Sequence, residues 1–232
     1  MKKTKIEWCD VTINPVVGCT YGCEYCYARK MNDRFKWIPD FSKPIFFPQR
    51  LKQLESKESK VIFMNSMSDV ADWDKATTGV VKLAMAMNPH HNYLFLTKRP
   101  LLTPAFYEVP RAMQIWRGVT VTDIDSIGRA YDLVYVTNGG RNLFLSIEPL
   151  HEWLDLYDLL DYTGCIDWVI VGAETGNRKG KIIPKKEWIT QIVADCKKFE
   201  IPIFMKDSLI PIIGEENMLR EFPKELKKER KL

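Results

Sequence analysis

The chain has 232 residues, 46% hydrophobic and 28% charged, with seven tryptophans and a formal net charge of +4. Such a composition belongs to an ordinary globular protein, long enough for one sizeable core, and no apolar run reaches the roughly 18 residues that a membrane span needs. The opening MKKTKIEWCD has lysines with no apolar stretch behind them, so a secretory signal is not expected. The expected setting is the cytoplasm, where thiols stay reduced and serve metals or chemistry instead of disulfides; the mild positive charge permits an anionic partner without demanding one.

Seven short apolar runs follow one another down the chain: VTINPVV (11–17), VIFMNS (61–66), NYLFLT (92–97), IWRGVTV (115–121), NLFLSI (142–147), WVIVGA (168–173) and IPIFMK (201–206). They are rich in β-branched and aromatic residues and apolar nearly throughout, the pattern of strands covered on both faces of a parallel sheet. Segments of helical period lie between them at 72–89, 123–138 and 185–200. The first stops at Pro89 and the second at Asn138-Gly139-Gly140. This alternation predicts βαβ units in a single α/β domain, with a core over about 9–207 and a charged, solvated tail over about 224–232. A doubly wound sheet and a full or partial (β/α) barrel both satisfy it. In either, ligands bind at the C-terminal ends of the strands.

At that edge, just past the first run, GCTYGCEYCYAR places Cys19, Cys23 and Cys26 at spacing C-x3-C-x2-C. A structural zinc site wants a fourth ligand. If 11–17 is one continuous strand rising about 3.3 Å per residue, Cys9 lies on the order of 25 Å away at the other end. Cys165 precedes a later strand, and Cys196 falls at a core-like position of a helix. Three thiolates on a [4Fe–4S] cluster instead leave one iron open. S-adenosylmethionine can chelate that iron and be cleaved reductively to a 5′-deoxyadenosyl radical.

With Tyr25 directly before the third cysteine, this motif resembles the hallmark of the radical SAM superfamily. The phrases KIEWCDVTINPVVGC, FMNSMSD, FLTKRP, GVTV, SIEPL and WVIVGAETG further resemble a group of small phage-associated radical SAM proteins of unassigned function, over roughly residues 5 to 207. There is also a distant similarity to spore photoproduct lyase. The resemblance implies a partial (β/α)6 barrel, here with a seventh C-terminal strand, an iron–sulfur cluster, bound S-adenosylmethionine, and an electron donor such as flavodoxin or ferredoxin. It further implies that Cys19, Cys23 and Cys26 are the metal ligands and that Tyr25 lies beside the cofactor.

Each strand end then offers candidates for the cofactor. Ser66, Ser68 and Asp69 in NSMSD would receive its ammonium, or cap the following helix. Lys98 in LTKRP would pair with its carboxylate, together with Thr120, as in the lyase, or lie solvated beside Arg99. Thr120 and Thr122 share a face toward the ribose, and Asp123 either joins them or caps a helix. Glu148 in SIEPL is costly to bury unpaired. Gly172 and Ala173 would admit a flat ring. Substrate candidates are Arg99, Glu174, Lys206 and the basic loop of Arg178, Lys179 and Lys181, which is either a solvated face or a phosphate contact for a nucleotide or nucleic acid. Two other classes stay open: a zinc- or iron–sulfur-binding, non-enzymatic nucleic-acid module, and an electron-transfer ferredoxin.

Overall fold

A computed structural model describes residues 4–103 and 114–227. The fold is α/β, in two compact units, Met1–Trp116 and Arg117–Leu232. Among the described residues no helix is long and apolar enough to cross a membrane.

In the first unit, β1 (Val11–Thr12), β4 (Val61–Phe63) and β5 (Asn92–Thr97) run parallel, with Val11 opposite Ile62 and Ile62 opposite Tyr93. The expected strand 11–17 is broken. Its second half forms β2 (Val16–Val17), which leaves the parallel sheet and pairs antiparallel with β3 (Ile45–Phe46). Pro15 lies at the break; it has no N–H to give a ladder, and its carbonyl accepts from Phe47 N–H at 2.6 Å. Because the chain does not rise straight from Val11 to Val17, the wide separation expected between Cys9 and Cys19 does not follow. Cys9 is nonetheless buried, its thiol 3.8 Å from the Ile6 carbonyl.

Helix α1 (Tyr27–Phe35) follows the cysteine loop, and α2 (Lys75–Ala86) packs on a 3-10 segment, Pro48–Glu55. One core gathers Val11, Ile13, Ile62, Met64, Trp73, Val81, Met85 and Phe95. A smaller one joins Val17, Ala28, Ile38, Phe41 and Met67, and Cys19 and Cys26 pack against it.

The second unit takes up β6 (Gln114–Thr120) at Arg117 and continues through β7 (Leu143–Ile147), β8 (Ile166–Val171) and β9 (Ile203–Met205), each parallel to the next. Every residue of β7 is buried, as a strand covered on both faces should be. Helices α3 (Gly128–Thr137), α4 (Tyr157–Thr163), α5 (Lys186–Lys198) and α6 (Ile210–Ile213) complete the unit. Helix α3 stops at Asn138 in the left-handed conformation, φ 51°, where the sequence placed its end. The tail is not wholly solvated: Leu226 is buried in a short 3-10 turn, and residues 228–232 lie outside the described residues.

Candidate functional site

In the first unit the cysteine loop is held at both ends. Gly18 enters it at φ +114°, and a Cβ there would lie 2.8 Å from Pro44 Cα and 3.0 Å from the Phe41 carbonyl, so only glycine fits. Its N–H reaches the Met67 carbonyl at 3.0 Å, and Cys19 N–H reaches Phe41 O at 2.7 Å. At the far end the Cys26 sulfur caps α1, accepting the Arg29 N–H at 3.3 Å. The Cys19 sulfur accepts from Tyr21 N–H at 3.4 Å.

Burial pushes the Cys19 thiol up to about 12; the Tyr21 N–H opposes this, while Asp69 and Asp72 add to it and Arg99 subtracts. All three motif cysteines are partly exposed free thiols. Among the described residues no three His, Cys, Asp or Glu side chains converge as a metal-holding group. The donor chemistry nevertheless fits a thiolate-bound cluster: three thiols on one anchored loop, two with sulfurs that already receive backbone N–H groups.

The loop is also stitched to the ends of β4 and β5. Tyr27 Oη donates to the Ser66 carbonyl at 2.6 Å, and Gly18 bridges Ser68. Thr20 donates through N–H and hydroxyl to the two oxygens of Asp72, at 2.9 and 2.7 Å. Arg99 closes the clamp, 2.8 Å from Asp72 and donating to the Thr20 hydroxyl at 3.0 Å. Burial alone would raise the Asp72 carboxyl, but the bonds from Arg99 and Thr20 outweigh it and hold it below the ordinary value. Arg99 thus serves the cysteine loop; Thr20 and Asp72 were not singled out from sequence. The signal for Thr20 was a hydroxyl inside the cysteine motif, and for Asp72 a second carboxylate in SDVAD.

The strand-end residues of this unit divide between jobs. Asp69 caps the turn Val70–Asp72 through Ala71 N–H at 2.9 Å and also accepts from the Thr97 hydroxyl at 2.7 Å and Lys98 N–H at 3.0 Å. It is a buried structural tie between the ends of β4 and β5. The Ser68 hydroxyl accepts from Trp73 Nε1 at 3.1 Å, and the Ser66 hydroxyl donates to Asn14 Oδ1 at 3.1 Å. The Lys98 ammonium lies over the Tyr25 ring, 5.8 Å from its centroid, which brings two of the expected cofactor residues together.

In the second unit the ends of β7, β8 and β9 carry two charge clusters. Glu148, directly after β7, forms an ion pair with Lys206, directly after β9, so its charge is paired within the chain. Both side chains pass over Gly172, where a Cβ would lie 3.0 Å from Lys206 Cδ and 3.3 Å from Glu148 Cγ. The space expected for a flat ring is thus filled by these two side chains. Ala173 N–H donates to the Ser208 hydroxyl at 2.9 Å.

Next along, buried Glu174 receives Arg178 in two bonds, Nε at 2.7 Å and a terminal nitrogen at 2.8 Å, with His151 Nε2 3.5 Å away. Arg178 holds the Glu174 carboxyl below its ordinary value, outweighing burial, with His151 helping. Of the basic loop, Arg178 is therefore committed inward and Lys181 donates to the Gly176 carbonyl at 3.1 Å, while Lys179 is exposed. His151 was not foreseen, because nothing at its own position marks it.

Thr120 and Thr122 are both buried. The Thr120 carbonyl accepts from Arg129 at 3.0 Å, and the Thr122 hydroxyl donates to Asp123 at 2.7 Å. Asp123 caps the turn Ile124–Ser126 in a reciprocal box with Ser126, the capping role foreseen for it.

No curated protein and no solved structure matches the chain. Residues 3–213 match a family model described as a protein of unknown function, DUF5131, and the chain belongs to that family.

Proposed function

We propose that this protein is a radical S-adenosylmethionine enzyme, with a [4Fe–4S] cluster held by Cys19, Cys23 and Cys26 in a partial (β/α)6 barrel to which β9 adds a seventh strand. The observation that carries the reading is one anchored loop with three thiols, two of them already accepting backbone N–H groups. Bound there, the cluster would supply one electron for cleavage of the sulfonium C–S bond of S-adenosylmethionine, releasing methionine and a 5′-deoxyadenosyl radical that would abstract hydrogen from substrate.

The chain's own residues bind and orient. Cys26 sets a sulfur at the N-terminal end of α1, where it accepts the Arg29 N–H. The N–H groups of Tyr21 and Arg29 share the charge of the sulfurs they touch. Lys98, steadied on Tyr25, is assigned to the cofactor carboxylate, and the hydroxyls of Ser66 and Ser68 to its ammonium, with Asp69 holding the strand ends in register. In the second unit Thr120, Thr122, Glu148, Gly172 and Ala173 keep their cofactor assignment; for Glu148 and Gly172 this requires Lys206 to swing aside. The substrate class is a nucleotide or nucleic acid, with Lys179, Lys181 and Lys206 as its candidate contacts; for Arg99, Glu174 and Arg178 that assignment requires the Arg99–Asp72 and Arg178–Glu174 pairs to open, and the electron donor is a flavodoxin or ferredoxin.

Anaerobic reconstitution tests this. The protein should take up about four irons and four sulfides and lose them on Cys→Ala at 19, 23 or 26, but not at 9, 165 or 196. With a reductant it should convert S-adenosylmethionine to 5′-deoxyadenosine. A colourless protein with stoichiometric zinc and no cofactor cleavage would overturn the proposal.

A further inference from the structure

Helix α1 hides one stripe and shows another. Ala28 and Asn32 are buried, whereas Tyr27, Met31 and Phe35, spaced four apart and so on one face, are all exposed, Phe35 to 52%. The chain then turns back. Lys36 takes the left-handed conformation, φ 51°, and its N–H reaches the Asn32 carbonyl at 2.6 Å. The Asn32 amide grips Ile38 at both N–H and carbonyl, each at 3.0 Å. These bonds hold Trp37, itself 41% exposed, against Phe35 with centroids 5.4 Å apart and planes only 19° from parallel. The Arg34 guanidinium lies 5.2 Å from the same Phe35 ring.

Two large aromatic rings standing in water and locked by a buried side chain form a prebuilt stacking platform. Its surroundings are cationic: residues 27–37 contain Arg29, Lys30, Arg34 and Lys36 against the single carboxylate Asp33, and Lys30, Arg34 and Lys36 are exposed. Flat rings interleaved with cations complement a strand whose bases are free to stack and whose phosphates lie alongside. A duplex hides those base faces, and an apolar protein surface would leave the cations unmatched.

We infer that the Phe35–Trp37 platform and its flanking cations bind single-stranded nucleic acid. This surface needs no metal and stands apart from the cluster proposal, so the two fail separately.

The test uses the full chain, with and without reconstituted iron and sulfide, and a fluorescent 20-nucleotide oligo-dT read by anisotropy. Trp37→Leu, which keeps apolar area but no ring, and Phe35→Ala should each weaken binding about 5- to 150-fold, the range for losing one stacked base, while Trp37→Phe restores most of it. Changing Lys30, Arg34 and Lys36 together to Gln should flatten the salt slope by about two, at roughly 0.7 per phosphate on a single strand. All three residues are exposed, and an unchanged circular dichroism spectrum certifies that each variant is folded.

The inference is overturned by no binding at 50 mM salt, by equal competition from a duplex, or by variants that bind as wild type. Oligonucleotide binding that survives in variants unable to bind flavodoxin also overturns it, and gives the surface to an acidic protein instead.

Discussion

The clamp of Thr20, Asp72 and Arg99 makes a quantitative demand on the first unit. The Asp72 carboxylate accepts three short bonds, two from Thr20 and one from Arg99, and its side chain is only 7% exposed, with that of Arg99 at 20%. A bond to a charged group contributes about 1.5–3 kcal/mol, and stranding a buried charge costs about 3–5 kcal/mol. Because Arg99 keeps some contact with water, Asp72→Ala should destabilise by about 3 kcal/mol and Asp72→Asn, which retains an acceptor for Thr20, by about 1–2 kcal/mol. A double-mutant cycle with Arg99→Met, read by urea unfolding, should return a coupling of about 1–2 kcal/mol. Thermolysin cleavage within residues 19–26 should rise in parallel, since the clamp is what pins that loop. The pH dependence has a definite sign. The folded carboxyl lies below its ordinary value of 3.8, so the clamp stabilises fully above that value and is lost as pH falls through the folded one. Asp72→Asn should remove this part of the acid sensitivity. A coupling below about 0.5 kcal/mol would refute the reasoning, showing the ion pair to be worth no more than an exposed one.

Gly18→Ala should cost about 3 kcal/mol or more, since its Cβ meets backbone, whereas Gly22→Ala, at φ +79° with open space around it, should cost only about 1–2 kcal/mol; thermal unfolding separates the two. In metal-free protein at pH 8 the Cys19 thiol, pushed up to about 12, should be alkylated by iodoacetamide on the order of 10³-fold more slowly than a free thiol, as read by peptide mass spectrometry; alkylation at a free-thiol rate would show the loop to be open. Arg178→Gln should move the Glu174 carboxyl up toward 4.5 in a carboxyl NMR titration, because Arg178 is the main group holding it down; its stabilisation, now lost only at more acid pH, would then fade sooner on acidification.

Strand positions were legible where composition and pairing agree. NYLFLT coincides with β5, and the helix expected at 185–200 is α5, Lys186–Lys198. The run 61–66 overshoots because the Asn65 side chain takes over the strand's role, its Oδ1 accepting Leu96 N–H at 3.0 Å and its Nδ2 donating to the Leu96 carbonyl at 2.6 Å. The run 11–17 was misread because its apolar content masked Pro15 as a breaker. The cysteine triplet and the helix-capping roles of Asp69 and Asp123 could be approached from local sequence, whereas the contact between Lys98 and Tyr25 could not. Nor could the charge pairings. Thr20 meets residues 52 and 79 positions away, and Lys206 meets a carboxylate 58 positions earlier, distances over which no periodicity carries information.

The order of synthesis follows from where the clamp partners lie. The cysteine loop leaves the ribosome well before the strand ends that pin it, since Asp72 and Arg99 come later in the chain. At roughly 5–20 residues per second, the roughly 70 residues between Cys26 and Arg99 take about 4–15 s to make. For that interval the three thiols stand on an unclamped segment, and completion of β5 ends it. A nascent chain stalled before residue 72 should therefore expose Cys19 to alkylation, and one stalled after unit one has emerged should not.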